Sequence, residues 1–232
     1  MSMVPPQNLA AALQQALSLH RAGQFAAAES LYRQLLEQQA DHLVVLQMLG
    51  VLLFQTGRQD EGVLLLQQVV VASPNDPAAH NNLGNALREL GQHADAAASF
   101  EKAITLRPDF VDAWSNWGNA LNDLCRFDAA VHAYDQALAL QPRHANALNN
   151  RASALNSLRR YAEALRDYDQ SIALQPQVAE TYSYRAAALM GLGRTEEALQ
   201  SCEMALQRKP DLVQAHWNRV NALQNLKRYP EA

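Results

Sequence analysis

The chain has 232 residues, of which 49% are hydrophobic and 18% are charged, a composition typical of a water-soluble folded protein. The formal net charge of −4 argues against a nucleic-acid-binding protein, because such proteins carry a basic surface. Two cysteines are too few for a disulfide scaffold, MSMVPPQN lacks the features of a signal peptide, and the longest nearly apolar run, residues 43–54, is too short to span a bilayer. We therefore expect a cytoplasmic protein that binds neither nucleic acid nor membranes.

A spacing of 34 residues runs through the chain. Proline recurs at this interval at five positions: Pro74, Pro108, Pro142, Pro176 and Pro210. In residues 111–144, one helical face carries Trp114, Trp117, Gly118 and Leu121. After a short break a second face carries Ala130, Tyr134, Ala137 and Leu138. This spacing predicts two helices per unit, the second of which ends at proline.

The same unit repeats along the chain, so we predict one repeat array and no second domain. A loose tail, residues 1–8, is followed by a solenoid over residues 9–232. Its predicted repeats are 9–42, 43–76, 77–110, 111–144, 145–178, 179–212 and a partial repeat, 213–232.

These units resemble the tetratricopeptide repeat, whose pattern is W-x2-L-G-x2-Y…A-x3-F…P over 34 residues. In one unit the matching residues are His80, Leu83, Gly84, Leu87, Ala96, Phe100, Ala103 and Pro108. The first unit departs from the pattern, with Ala40 where proline is expected. The resemblance implies an all-α, right-handed superhelical solenoid of helical hairpins, in which the first helix of each repeat lines a concave groove.

Catalysis and metal binding find no support in the sequence. The seven histidines are scattered among different positions of the repeat, and no His–Cys or His–Glu spacing suits a metal ion. Cys202 takes a place that an aromatic residue holds in several other repeats, so we interpret it as a small core residue. We therefore expect a protein that is not an enzyme and needs no cofactor.

Charged residues repeat at a fixed separation as well. Asp135, Asp169 and Glu203 each precede an arginine by 16 residues, and the arginines are Arg151, Arg185 and Arg219. This spacing places an acid on the second helix of one repeat and a base on the first helix of the next. It predicts ion pairs that fix how neighbouring repeats stack.

Asparagine is frequent at the sixth and ninth places of the repeat, which the resemblance places in the groove. Asparagine is a poor residue for a helix interior, so folding stability does not explain this series. Each amide offers a donor and an acceptor, and a row of amides suits the backbone of an extended peptide. The predicted peptide-binding residues are Asn82, Asn85, Asn116, Asn119, Asn150, Tyr184, Asn218 and Asn221. The alternative explanation is inherited repeat composition, in which some of the amides bond only one another or water.

Three functions remain open at this stage. The first is a scaffold that binds extended segments of a protein or peptide partner. The second is the substrate-recruiting arm of a glycosyltransferase with a catalytic domain after residue 232, because the asparagine row resembles the repeat superhelix of O-linked N-acetylglucosamine transferases. The third is an assembly or secretion adaptor.

The second repeat is more apolar than the others. Its groove side carries Val44, Met48, Val51 and Phe54, which predicts a contact patch for a second copy of the chain or for an apolar side chain of a partner. Close packing within an end repeat is the alternative. The seventh repeat stops near the start of its second helix, so we also expect a homo-oligomer formed through this uncapped end or through the second repeat.

Overall fold

The computed structural model describes residues 9–227, and all regular secondary structure in that range is helical. The chain divides into two compact units, Met1–Pro108 and Asp109–Ala232, here called the N-terminal and C-terminal units. The predicted all-α class is confirmed for the described residues. No helix in this range has the length and apolar character that crossing a membrane requires.

Helices of 13 and 14 residues alternate along both units. The helices of the N-terminal unit are α1 (Leu9–Arg21), α2 (Phe25–Gln38), α3 (Leu43–Gln55), α4 (Gln59–Ala72), α5 (Pro77–Glu89) and α6 (His93–Leu106). Those of the C-terminal unit are α7 (Val111–Asp123), α8 (Phe127–Leu140), α9 (Ala145–Ser157), α10 (Tyr161–Leu174), α11 (Ala179–Gly191), α12 (Thr195–Arg208) and α13 (Val213–Asn225).

Within each unit the helices form two layers. Each odd-numbered helix packs against the even-numbered helix that follows it, and each even-numbered helix packs against the next odd-numbered one. Odd-numbered helices also contact one another, as α3 and α5 do in the N-terminal unit and α7 and α9 in the C-terminal unit. We call the side of this odd layer that carries the sixth- and ninth-place residues of the repeats the odd-helix face; most of these residues are half-buried, and Asn218 is buried.

Small residues allow the two helices of a hairpin to approach closely. A Cβ atom on Gly84 would lie 2.7 Å from the ring of Phe100, and a Cβ atom on Gly118 would lie 2.6 Å from the ring of Tyr134. The facing helix contributes an alanine with no exposed surface at the same place of five repeats: Ala28, Ala96, Ala130, Ala164 and Ala198. Glycine at these two positions therefore makes room for the ring on the facing helix.

The turn inside each hairpin needs one residue in the left-handed region of backbone space. Glycine supplies it in four repeats: Gly23, Gly57, Gly91 and Gly193. In three repeats another residue adopts the same conformation: Cys125, Arg159 and Lys227, with φ of 58°, 59° and 57°. Side chains at these three positions cost conformational energy that glycine would avoid.

Candidate functional site

The odd-helix face of the C-terminal unit carries a hydrogen-bonded cluster of amides. Asn150 on α9 donates from Nδ2 to Oδ1 of Asn119 on α7, at 2.8 Å. Tyr134 on α8 donates its hydroxyl hydrogen to the same oxygen, also at 2.8 Å. Asn149 donates to Oδ1 of Asn150 at 3.3 Å. Two predicted residues from neighbouring repeats are thus joined to each other and to a buried tyrosine.

A concave pocket of about 300 Å³ opens beside this cluster. Its lining includes Asp112, Asn116, Asn119, His144, Asn146 and Asn150. His144 accepts a hydrogen bond from the backbone N–H of Ala147 at its Nδ1 atom, 3.1 Å away, and so caps the start of α9. The ring proton therefore lies on Nε2. The wall of the pocket combines amide donors and acceptors with one carboxylate, a set that suits the polar groups of a peptide backbone.

The predicted residues in the last two repeats have different surroundings. Asn218 is only 3% exposed, and its Nδ2 atom donates to the backbone oxygen of Ser183 at 2.9 Å, while its Oδ1 accepts from Gln214 at 3.1 Å. Its amide is therefore bonded within the structure. Tyr184 is exposed, and its ring lies 6.4 Å from that of Tyr168. Asn221 is half-buried on α13.

The predicted residues of the N-terminal unit line a pocket of a different character. Asn82 and Asn85 on α5 are half-buried and form one side of a pocket of about 240 Å³. The remaining walls include Val51, Phe54, Leu66 and Glu89. The apolar patch and the amides predicted separately from the sequence meet in this pocket.

The predicted apolar patch on α3 is divided by the structure. Val44 is 47% exposed, whereas Phe54 is only 9% exposed, and Met48 packs against the core shared by α1, α2 and α3. On α4, Leu64 and Val71 are exposed. Only part of the patch is therefore free surface, and self-association through it stays a prediction.

Two of the three predicted ion pairs form. Arg151 lies 2.6 Å from Asp135, and Arg185 lies 2.6 Å from Asp169. Within the described residues, Glu203 and Arg219 form no such pair. Arg151 also makes a two-point ion pair, 2.7 Å for each contact, with Asp167, which is 4% exposed and was not predicted. Hydrogen bonding to Asp167 raises the pKa of the Arg151 guanidinium.

The two cysteines lie in contrasting environments. Cys125 is exposed in the turn between α7 and α8, whereas Cys202 is fully buried in the hairpin of α11 and α12. Burial raises the pKa of Cys202 to about 11. Cys202 is thus a core residue, as its place in the repeat predicted. No cluster of three or more His, Cys, Asp or Glu side chains suited to a metal ion occurs between residues 9 and 227.

The fold and the repeated contacts define a helical-hairpin repeat protein. Family models described as the tetratricopeptide repeat match residues 19–85, 77–110, 115–179 and 157–213, which together cover well over half of the chain. The chain belongs to the tetratricopeptide repeat family. Proteins of this family generally serve as scaffolds for protein–protein interaction. A search of curated proteins finds no match.

Solved structures share the fold at low sequence identity. Pseudomonas aeruginosa pilF is 16% identical with a TM-score of 0.82, and the match covers 93% of this chain and 98% of pilF. MamA is 24% identical with a TM-score of 0.65, over 69% of this chain and 94% of MamA. YrrB, described as a tetratricopeptide repeat protein with an unusual peptide-binding site, is 17% identical with a TM-score of 0.66, over 80% of this chain and 96% of YrrB. These similarities show the fold alone.

Proposed function

We propose that this protein is an interaction scaffold that binds extended peptide segments of a partner on the odd-helix face of the C-terminal unit. The observation that carries the proposal is the hydrogen-bonded pair of Asn119 and Asn150, which belong to neighbouring repeats and border the same pocket. An extended peptide presents N–H and C=O groups at regular intervals, and amides on successive helices suit that arrangement. YrrB, a structural relative, is described as having a peptide-binding site of its own.

The bonding within the cluster determines which atoms a ligand would meet. Both hydrogen bonds to Asn119 end on its Oδ1 atom, so its Nδ2 group is the part that remains to donate to a peptide carbonyl. Asp112, an exposed carboxylate in the same pocket, would accept a backbone N–H or attract a basic side chain. The site would recognise backbone more than side-chain shape, which favours tolerance of different partner sequences.

The experiment starts with a library of random twelve-residue peptides selected against the full chain. Affinities of the selected peptides are then compared between the unaltered protein and the variant Asn116→Ala/Asn150→Ala. We expect affinity to fall about tenfold or more, because each lost hydrogen bond to a peptide contributes about 1 kcal/mol. The matched control is Gln200→Ala/Gln207→Ala, which removes two exposed amides from α12, on the even layer. Equal losses in both variants, or none in either, would contradict the proposal.

The glycosyltransferase-arm hypothesis uses the same binding face and stays a prediction. Its support is the asparagine series at the sixth place, where Asn82 is half-buried in the N-terminal unit and Asn116 and Asn150 border the pocket of the C-terminal unit. Asn218, at the same place of the last repeat, is buried and does not add to that support. The intact mass of the native protein in source cells separates the two hypotheses, since a recruiting arm requires a mass far above 25.6 kDa.

A further inference from the structure

The pocket of the N-terminal unit has a physical origin in the twenty-fourth place of the repeat. An aromatic ring fills this place in four repeats: Tyr32, Phe100, Tyr134 and Tyr168. In the second repeat the residue is Leu66, which lines the pocket of about 240 Å³. Because the hydroxyl of Tyr134 reaches the ninth-place Asn119, a ring at this position extends to the odd-helix face. Leucine is shorter, so space is left beneath Val51, the ninth-place residue of α3.

The second repeat closes its hairpin differently from the repeats that carry a ring. Leu66 packs against Gly50 at the eighth place, where a Cβ atom would lie 3.0 Å from the leucine side chain and 3.1 Å from the backbone oxygen of Gly62. Glycine is not required opposite a ring, since alanine holds the eighth place opposite Tyr32 and Tyr168. The pocket therefore follows from the short side chain of Leu66, which lines it together with Val51 and Phe54.

We propose that this pocket binds one apolar side chain of an extended partner peptide, with a lysine or arginine of the peptide adjacent to it. The apolar occupant follows from Val51, Phe54 and Leu66. At about 240 Å³ the pocket is smaller than the roughly 300–1,000 Å³ of sites for drug-sized ligands, a size that suits a single side chain. The inference rests on the proposed function in one respect: the ligand is an extended peptide.

The rim of the pocket supplies the polar part of the recognition. Asn82 and Asn85 stand beside the apolar wall and offer amide groups to the peptide backbone on either side of the anchored residue. Glu89 also lines the rim, is exposed, and has no cationic partner among residues 9–227. An unpaired carboxylate at the rim favours a basic neighbour of the apolar residue and disfavours an acidic one.

The test uses the full chain and the seven-residue peptide Ser-Gly-Lys-Leu-Ser-Gly-Ser, followed through the methyl NMR signals of Val51 and Leu66. We expect saturable shifts of these signals. Replacing the peptide leucine by serine is expected to lower affinity by about tenfold or more, the cost of losing one buried apolar side chain. Replacing its lysine by glutamate is expected to lower affinity about threefold or more, the range of an exposed charge pair. Shifts that avoid both residues, or equal affinity for the leucine and serine peptides, would overturn the proposal.

Two variants fill or alter the pocket from the protein side. Leu66→Phe should place a ring in the pocket, as Phe100 does beside Gly84, and abolish the response to the leucine peptide. Leu64→Phe is the matched control, the same change at an exposed position on the same helix, and should leave affinity unchanged. If Leu66→Phe does not fold, Val51→Asn is the second variant, since asparagine is the residue that the next two repeats carry at this place. It should also abolish the response to the leucine peptide. Retained affinity in a folded pocket variant would refute the inference.

The same titration on Asn116→Ala/Asn150→Ala separates this inference from the proposed function. The changed residues lie in the C-terminal unit and the observed methyl groups in the N-terminal unit, so the leucine peptide should shift Val51 and Leu66 as before. If library peptides are insensitive to the amide variant while this response persists, the amide site fails and the apolar pocket stands. If the amide variant weakens binding of library peptides while the leucine peptide never shifts the signals of Val51 or Leu66, the amide site stands and the apolar pocket fails.

Discussion

Tyr134 donates its hydroxyl hydrogen to Oδ1 of Asn119 across 2.8 Å and thereby fixes the orientation of an amide on the odd-helix face. Asn150 donates to the same oxygen, so the oxygen is occupied from two sides. The second helix of a hairpin thus determines which half of a first-helix amide a partner would meet. Phe100, at the equivalent place of the preceding repeat, has no hydroxyl with which to do so.

The first prediction removes this hydroxyl. In Tyr134→Phe the ring keeps its packing against Gly118, but Asn119 loses one of the two hydrogen bonds that orient its amide and keeps only the one from Asn150. Stability should fall by about 1 kcal/mol, the value of one hydrogen bond, and affinity for library-selected peptides should fall about fivefold. Calorimetry and peptide titration measure the two effects.

Tyr168→Phe is the matched control for this prediction, because Tyr168 is a buried ring at the same place of the next repeat and makes no hydrogen bond to Asn119 or Asn150. It should leave peptide affinity unchanged. If the two variants bind peptide equally well, the orientation of Asn119 has no part in recognition.

The second prediction concerns the ion pairs of Arg151. Arg151→Met leaves the buried carboxylate of Asp167 without its two-point partner and should cost about 3 kcal/mol of stability. Arg185→Met removes a pair whose acid, Asp169, is half exposed, and should cost about 1 kcal/mol or less. Chemical denaturation measures both. Equal losses would show that the burial of Asp167 does not set the strength of the pair.

A third prediction exploits the left-handed turn residues. Arg159→Gly should raise stability by about 1 kcal/mol, because glycine adopts a positive φ without a steric penalty. Gly193→Ala makes the reverse change at the same place of the next repeat, where a Cβ would meet no other atom, and should lower stability by a similar amount. Thermal unfolding checks the pair. A decrease in melting temperature for Arg159→Gly would contradict the strain argument.

The fourth prediction follows from the burial of Cys202. Only Cys125 should react with a thiol-specific disulfide reagent at pH 8 in the folded protein, and both cysteines should react after denaturation. Because burial raises the folded pKa of Cys202 to about 11 from an ordinary 9.0, unfolding releases a proton between these values. The contribution of this thiol to the free energy of unfolding is therefore complete below about pH 9 and declines as pH rises toward 11. Reaction of two thiols in the folded protein would contradict this account.

The helices could be predicted from the sequence because each hairpin is built from local spacings. A small residue at the eighth place, an aromatic ring at the twenty-fourth and proline near the end are all visible in one repeat, and these spacings were sufficient to predict two helices per repeat. The fold class could therefore be predicted from spacings within single repeats. Contacts between neighbouring repeats depend on which side chains meet, and the spacings in the sequence did not identify all of those partners.

Asn218 shows this limit. It holds the sixth place of its repeat, as Asn150 does. The ninth place of the preceding repeat is Asn119 in the case of Asn150, but it is Ala187 in the case of Asn218. With no amide to bond on the surface, Asn218 donates inward to Ser183. Asp167 shows a related limit, because a spacing of 16 residues links Arg151 both to Asp135 and to Asp167, and only burial distinguishes the stronger pair.

The measurement that tests the central claim most directly is an NMR titration of the full chain with a library-selected peptide, followed through the side-chain amide signals of asparagine. The account predicts that the signals of Asn116, Asn119 and Asn150 shift together and saturate at one affinity, while the amides of Gln200 and Gln207 on α12 do not move. Saturable shifts confined to the even-numbered helices, with the three asparagines unchanged, would contradict it.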